Sequence, residues 1–423
     1  MKYTKYEMGS YNLHVIKTDK FKTVNMRIMF KRKTNKDDIN YRNFLSQILL
    51  EATKNYPTKR EIEIKCEDLY GLACRSDAFV SGNYSVITFD STFLNEKYTE
   101  EGMFKQIFEF LFDIILNPYI IDNKFDKNSF KNIKNDLINN IESVKDIPNY
   151  YCVNRLFELI GKTTPIALKS QGYLETIDEV TEENLYKYYQ TMIKSDNIDI
   201  FIIGNIDDSY IKKIVKQTIP INTLKKPTGS HYIEHDKIRS RAQIIKESST
   251  YEQSKLLLGY KLDHLTDFEK QYVMTFYSYI LGGGSDSKLF KTVREQNSLC
   301  YSISASHNVI ANLLIIKVGI DACNYKKTLA LIKKEVKNME KGIFEEKSIE
   351  QVKLLLKNSY KEIEDSPVSI LSMHLLHEYL QKDLLEKRYQ EIEKVDKQMI
   401  INVSKKIHLD TIYLLEGVKN EEK

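Results

Sequence analysis

Tryptophan is missing from the 423 residues, and several diagnostic patterns are missing with it. The five cysteines (66, 74, 152, 300 and 323) form no C-x-x-C pair, so neither a structural zinc site nor a disulfide framework is expected. Thiols scattered in an odd number fit a reducing, cytoplasmic setting. The stretch MKYTKYEMGSYNLHV has no apolar h-region, and no run approaches 18 apolar residues. Neither a signal peptide nor a membrane-spanning helix is expected. Charge is close to balanced: 63 basic and 59 acidic residues leave +4, without the basic excess of a dedicated nucleic-acid binder. The 28 tyrosines come without an aromatic–basic RNA signature and read as core and groove lining. No G-x-S-x-G occurs, which argues against a serine hydrolase.

What is present suits a large folded chain. The sequence is 42% hydrophobic and 29% charged, enough to bury a core, and its length suits two or three domains. Alternation predicts strands at 11–16, 23–30, 70–75, 79–80, 84–89 and 199–203. Helical spacing predicts helices at 43–54, 102–116, 125–145, 149–160, 182–193 and 208–219. The order then repeats: strands at 255–262, 301–305, 313–320 and 411–415, with helices at 267–281, 325–340, 345–364, 368–381 and 396–407. Runs of strands followed by runs of helices predict α+β halves, and the repeated order suggests an internal duplication. The expected division is a first half at 1–222, a linker at 223–242 and a second half at 243–423. Pro227, Gly229 and many charges mark the linker.

The most informative stretch is 281–306, LGGGSDSKLFKTVREQNSLCYSISAS. Gly282, Gly283 and Gly284 end an apolar helical run, where glycine could turn the chain with positive φ. Ser285 and Asp286 offer N-cap oxygens to a short helix with Leu289, Phe290 and Val293 on one face. A turn through Gln296, Asn297 and Ser298 leads into an alternating strand. Arg294 and Tyr301 are thereby delivered beside the glycines, two donors suited to a peptide carbonyl or a carboxylate. The glycines are not a phosphate loop, since no Gly-Lys-Ser/Thr follows and no G-x-G-x-x-G spacing is present. An ordinary turn with a surface arginine and a half-buried tyrosine would read the same way.

This LGGG-SDSKLF-x-x-VRE-x-x-SL-x-Y pattern resembles the second-half signature of the insulinase/pitrilysin-type zinc peptidases, in the branch that includes mitochondrial processing peptidase. Weaker likenesses run along nearly the whole chain: Asp68-Leu69-Tyr70-Gly71, Gly172 to Ile177, Ile198 to Gly204 and Ser254 to Tyr260. The resemblance is closest to a bacterial subgroup whose name links it to 5-aminopentanol modification of elongation factor P. It implies two homologous α+β halves, each an antiparallel sheet packed with helices, closing as a clamshell around a peptide or unfolded chain. In active members a first-half helix carries H-x-x-E-H, and a later helix adds a glutamate. The matching positions here are Asn43, Ser46, Gln47 and Asn140. Amides and a hydroxyl cannot replace two imidazoles and a carboxylate at zinc. The resemblance therefore implies no metal in this chain and no peptidase activity from it alone. In two-subunit members, one chain holds zinc and the other supplies an Arg/Tyr pair to the substrate backbone. Arg294 and Tyr301 match that pair, with Gly282, Gly283, Gly284 and Ser285 lining the substrate path. A zinc-bearing homologous partner is implied, with zinc as the partner's cofactor.

Three other readings stay open at this stage. His231-Tyr232-Ile233-Glu234-His235 is a literal H-x-x-E-H, but it lies in the expected linker without an apolar helical face. His374 and His377 sit three apart on an expected helix, in an order matching neither zincin pattern. The chain could also bind peptides as an inert scaffold.

Overall fold

The computed structural model describes residues 1–219, 229–235 and 237–418. Residues 223–228 and 236 of the expected linker lie outside the described residues. The chain divides into two units that interleave in sequence. Unit 1 comprises Met1–Ser143, Lys169–Ser230 and Ile363–Leu375, and unit 2 comprises Val144–Leu168, His231–Glu362 and Leu376–Lys423. The expected boundaries at 222 and 243 miss two exchanges: 144–168 belongs to the second unit and 363–375 to the first.

Unit 1 is built on strands β1 (Lys2–Glu7), β2 (Tyr11–Lys17), β3 (Thr23–Lys33), β4 (Ala73–Ser81) and β5 (Tyr84–Leu94). A small hairpin of β6 (Ile120–Ile121) and β7 (Lys124–Phe125) stands apart, and β8 (Asn197–Gly204) completes the main sheet. The order is β1-β2-β8-β3-β5-β4. β2 and β8 run parallel, while the other neighbours are antiparallel. One face carries Leu13, Val15, Met26, Ile28, Phe30, Ile200 and Ile202, packed with Phe44, Phe104, Phe108 and Leu111 from the helices. The opposite face holds a buried polar group. Asp199 accepts from Asn12 at 2.8 Å, contacts His14 Nε2 at 3.2 Å and pairs with Lys31 at 3.7 Å. Burial pushes the Asp199 carboxyl upward, but His14, Lys31 and Asn12 outweigh it and hold the carboxyl well below its usual range.

Unit 2 has β9 (Gln243–Ser248), β10 (Ser254–Leu262), β11 (Ser302–Asn308), β12 (Leu313–Ile320) and β13 (Ile407–Glu416), in the order β11-β12-β10-β13-β9. Read from the other end, β9-β13-β10-β12-β11 repeats β2-β8-β3-β5-β4, including the parallel first pair. The fold class is α+β as expected, and the suspected duplication has a topological counterpart. Each sheet is mostly antiparallel rather than wholly so. Helix Pro148–Ile160 covers this second sheet, setting Cys152, Leu156 and Ile160 against Leu257, Leu313, Ile315 and Tyr413. Gly259 permits the approach, since a Cβ there would fall 2.9 Å from Ile160 Cδ1.

Several elements differ from their sequence expectation. The helix expected at 43–54 runs Asp38–Ile48, and β3 extends to Lys33 instead of ending at Phe30. Helix Lys59–Asp68 escapes helical-periodicity reading because only Ile62 is buried; a Thr58/Glu61 capping box starts it instead. β1, β9 and helix Leu385–Glu393 were likewise not expected. β1 and β9 lie at sheet edges with half-exposed patterns, which weakens the apolar signal.

Candidate functional site

The Asp38–Ile48 helix carries Asn43, Ser46 and Gln47 at i, i+3 and i+4, on one face. Two of these side chains have structural work. Asn43 Nδ2 donates to the Ser170 carbonyl at 2.9 Å, and Ser46 Oγ donates to the Asn43 carbonyl at 2.9 Å. Both residues are buried, Gln47 is half-buried and Asn140 is exposed. One turn earlier, Asn40 was not singled out by the sequence, yet it organises the neighbourhood. Its amide donates to the Tyr173 carbonyl at 2.9 Å and to Thr176 Oγ1 at 3.0 Å, and its oxygen accepts from Tyr173 N–H at 2.9 Å. Gly172 lies between, at φ +102°, and a Cβ there would sit 2.3 Å from Asn40 Oδ1. The Gly172-Tyr173 motif is thus a loop locked to the helix by asparagines. The spacing of Asn40 from Asn43, one turn on the same face, was the available signal. On the other side of the helix, Arg42 donates to Asp196 at 2.7 Å and to the Phe30 carbonyl at 2.6 Å, fully buried.

This donor set does not fit a zinc ion. Neutral amide and hydroxyl oxygens are weak zinc ligands, and hydrogen bonds to backbone carbonyls fix the orientation of the Asn43 and Ser46 side chains within the fold. Among the described residues no three His, Cys, Asp or Glu side chains converge to hold a metal. The rival H-x-x-E-H is not helical. His231 stacks on Tyr379 at 4.7 Å, while His235 Nε2 lies 2.6 Å from the Ala311 carbonyl. His374 stacks on Tyr3 at 4.6 Å, and His377 Nδ1 donates to the Lys382 carbonyl at 2.8 Å. Each histidine has its own structural surroundings.

The second-unit loop is open by contrast. Helix Met274–Gly282 ends at the glycines, none of which adopts positive φ, contrary to expectation. At Gly282 and Gly283 smallness serves close packing instead, while a Cβ at Gly284 would meet nothing within 4 Å. A Cβ at Gly282 would meet Ala305 N at 2.6 Å, and one at Gly283 would meet Tyr279 Cα at 2.6 Å. Ser285 and Asp286 do not cap the next helical turn as expected; Asp286 pairs with Lys291 at 3.4 Å. Residues Phe290–Glu295 form a π-helical turn, closed by Gln296 N–H to the Lys291 carbonyl, a form that recurs at functional sites. Ser298, at φ +50°, stops it and donates to the Arg294 carbonyl.

Gly282, Gly283, Gly284 and Ser285 line a groove of about 540 Å³ with Phe290 and the β11 residues Ser304–His307. Arg294 does not line this groove. Its guanidinium lies over the Phe290 ring at 4.8 Å, behind the ring that does. Tyr301 stands apart, 58% exposed just before β11, and its hydroxyl donates to Asp321 at 3.1 Å. That hydrogen bond raises the phenol's pKa, so Tyr301 remains a proton donor at neutral pH. Phe290 and Asp321, the supports of the two donors, were not assigned these roles from sequence.

Comparison with known proteins adds an independent line. Residues 179–356 match the family described as "Peptidase M16 inactive domain". The chain is 27% identical over 419 residues to the probable inactive metalloprotease YmfF of Bacillus subtilis, covering 98% of each chain. It is 25% identical over 254 residues to the uncharacterized zinc protease YmxG of the same organism, 58% of this chain and 59% of that one. A conserved protein from Enterococcus faecalis V583 has a similar crystal structure, with a TM-score of 0.93 and 27% identity over 99% of this chain and 100% of that one.

Proposed function

Since the chain belongs to the M16 peptidase family, as a metallopeptidase-like member of its inactive, YmfF-like branch, we propose that it serves as the Arg/Tyr-bearing subunit of a two-chain zinc peptidase. The observation that supports this reading is the contrast within one molecule. Of the positions that match the family's zinc motif, Asn43 and Ser46 are buried and bonded to backbone, Gln47 is half-buried and Asn140 is exposed, and none is an imidazole or a carboxylate, whereas Arg294 and Tyr301 are exposed side chains of the kind the family presents to substrate. The partner is a homologous chain with an intact H-x-x-E-H, and the substrate is a peptide or an unfolded segment. Arg294 orients the peptide backbone. Tyr301 turns its hydroxyl proton from Asp321 to the carbonyl oxygen as charge develops there. The partner supplies metal and water activation. Both chains work in the cytoplasm, where five free thiols persist. No helix among the described residues is long and apolar enough to cross a membrane.

The test is reconstitution with a zinc-bearing homologue from the same genome. The pair should cleave peptides, the lone chain should not, and Arg294→Ala should abolish turnover. A lone chain that binds stoichiometric zinc and cleaves peptides sinks the proposal. If Arg294→Ala alters only affinity in a chain that never supports turnover, the protein is an inert peptide-binding scaffold instead.

A further inference from the structure

A second cavity, which shares Ser306 and His307 with the glycine-loop groove, lies within unit 2. It has a volume of about 410 Å³, within the range of small-ligand sites. Its walls include Val153, Ile310, Ile315, Leu376 and Leu380, and its polar groups include His307, Lys317 and Lys382. Apolar walls with a few convergent polar groups are the usual make-up of a binding pocket.

The polar end lacks a counter-charge. Both ring nitrogens of His307 are buried, and neither has a hydrogen-bond partner among the described residues, although part of the side chain is exposed. Burial, with Lys382 next, lowers the imidazole's pKa to about 3, so the ring is neutral and one nitrogen carries a proton to donate. Lys382 faces the same space and forms no ion pair among the described residues. Burial, and then the nearby Arg388, lowers its pKa. Asp383, the adjacent acid in sequence, is engaged by Lys387 at 2.8 Å and by the Tyr272 hydroxyl at 2.7 Å. The turn that presents Lys382 is fixed. Gln381 adopts φ +53°, and His377 holds the Lys382 carbonyl. Leaving the buried His307 N–H without an acceptor is costly, and an anion that bridges it to the half-buried Lys382 ammonium would relieve that cost.

We propose that this cavity binds a carboxylate carrying a branched apolar body, with Lys382 and His307 donating to the carboxylate and the body lying against Leu376, Leu380 and Ile310. The site stands independently of any peptidase partner, because every group belongs to this chain's second unit. Two sources share this chemistry: the C-terminal residue of a peptide, and a free short-chain acid.

Calorimetric titration of the full chain separates them. The probes are an N-acetylated tetrapeptide ending in leucine, the same peptide as its C-terminal amide, and 4-methylvalerate. At least one of the two acids should bind and the amide should not. Lys382→Gln and His307→Gln should each weaken binding about tenfold or more, while Lys382→Arg retains it. Lys337→Gln, on a different helix, should leave it unchanged. Binding of the peptide acid alone assigns the site to chain termini; binding of 4-methylvalerate alone assigns it to a small metabolite. Equal binding of acid and amide overturns the proposal. So does no binding of either acid at millimolar concentration, or undiminished binding by Lys382→Gln and His307→Gln with unchanged melting temperatures.

Discussion

The asparagines of the Asp38–Ile48 helix and the donors that follow the glycine run differ in where their hydrogen bonds go. Asn40 and Asn43 spend theirs inward, tying the 170–176 loop to the helix. Arg294 and Tyr301 remain exposed, each braced by one neighbour, Phe290 or Asp321. The asparagine face is bound into the fold, whereas the Arg294 guanidinium and the Tyr301 hydroxyl stay at the surface, the latter turned toward Asp321. Polar side chains alone do not mark a site; the direction of their bonds does.

This comparison can be broken or sharpened experimentally. The largest effect should come from Arg42→Ala, which leaves the buried Asp196 with only Arg32, 3.9 Å away, and should cost about 3–5 kcal/mol in urea denaturation. A loss below about 1 kcal/mol would mean that the helix is not pinned as described. Tyr301→Phe should lower turnover of a reconstituted pair by about 10²–10³-fold, about 2.7–4 kcal/mol, with the melting temperature unchanged. A melting shift without a rate effect would place Tyr301 with the scaffold instead. Asn40→Ala should cost about 1–3 kcal/mol, because the Tyr173 N–H and carbonyl lose their partner inside the fold. Asp199 supplies a pH dependence. Its carboxyl is held lower in the folded state than in the unfolded chain, so its contribution is fully present above about pH 4. That contribution is lost as pH falls toward the folded value, and Asp199→Asn should flatten the acid limb of a stability–pH curve. The smallest effect is expected from Asn140→Ala, exposed on its helix and within about 0.5 kcal/mol of no change.

Much of this was legible beforehand. Central strands such as β10 and β12 read clearly because buried apolar runs dominate them. The repeat showed in the order of elements. Other features depended on contacts that spacing does not encode. The glycines at 282–284 looked like turn formers, but Gly282 is met by Ala305 of β11 and Gly283 by Tyr279 one turn back, while Gly284 has open space. Asn40 matters through residues more than 130 positions away. The unpartnered His307 and Lys382 come together from β11 and from the turn after helix Pro367–Leu380, so no local motif could have joined them.

The exchange of segments between the units has a consequence for how such a chain can be inherited. A gene divided at residue 222 would send the Pro148–Ile160 helix off with the wrong product. Its Cys152, Leu156 and Ile160 flank would be bared to water, and Leu257, Leu313 and Tyr413 would lose their cover. Though the two sheets echo one another strand for strand, neither half is a portable part. Each unit takes segments from both sides of residue 222, so a cut there leaves neither unit whole.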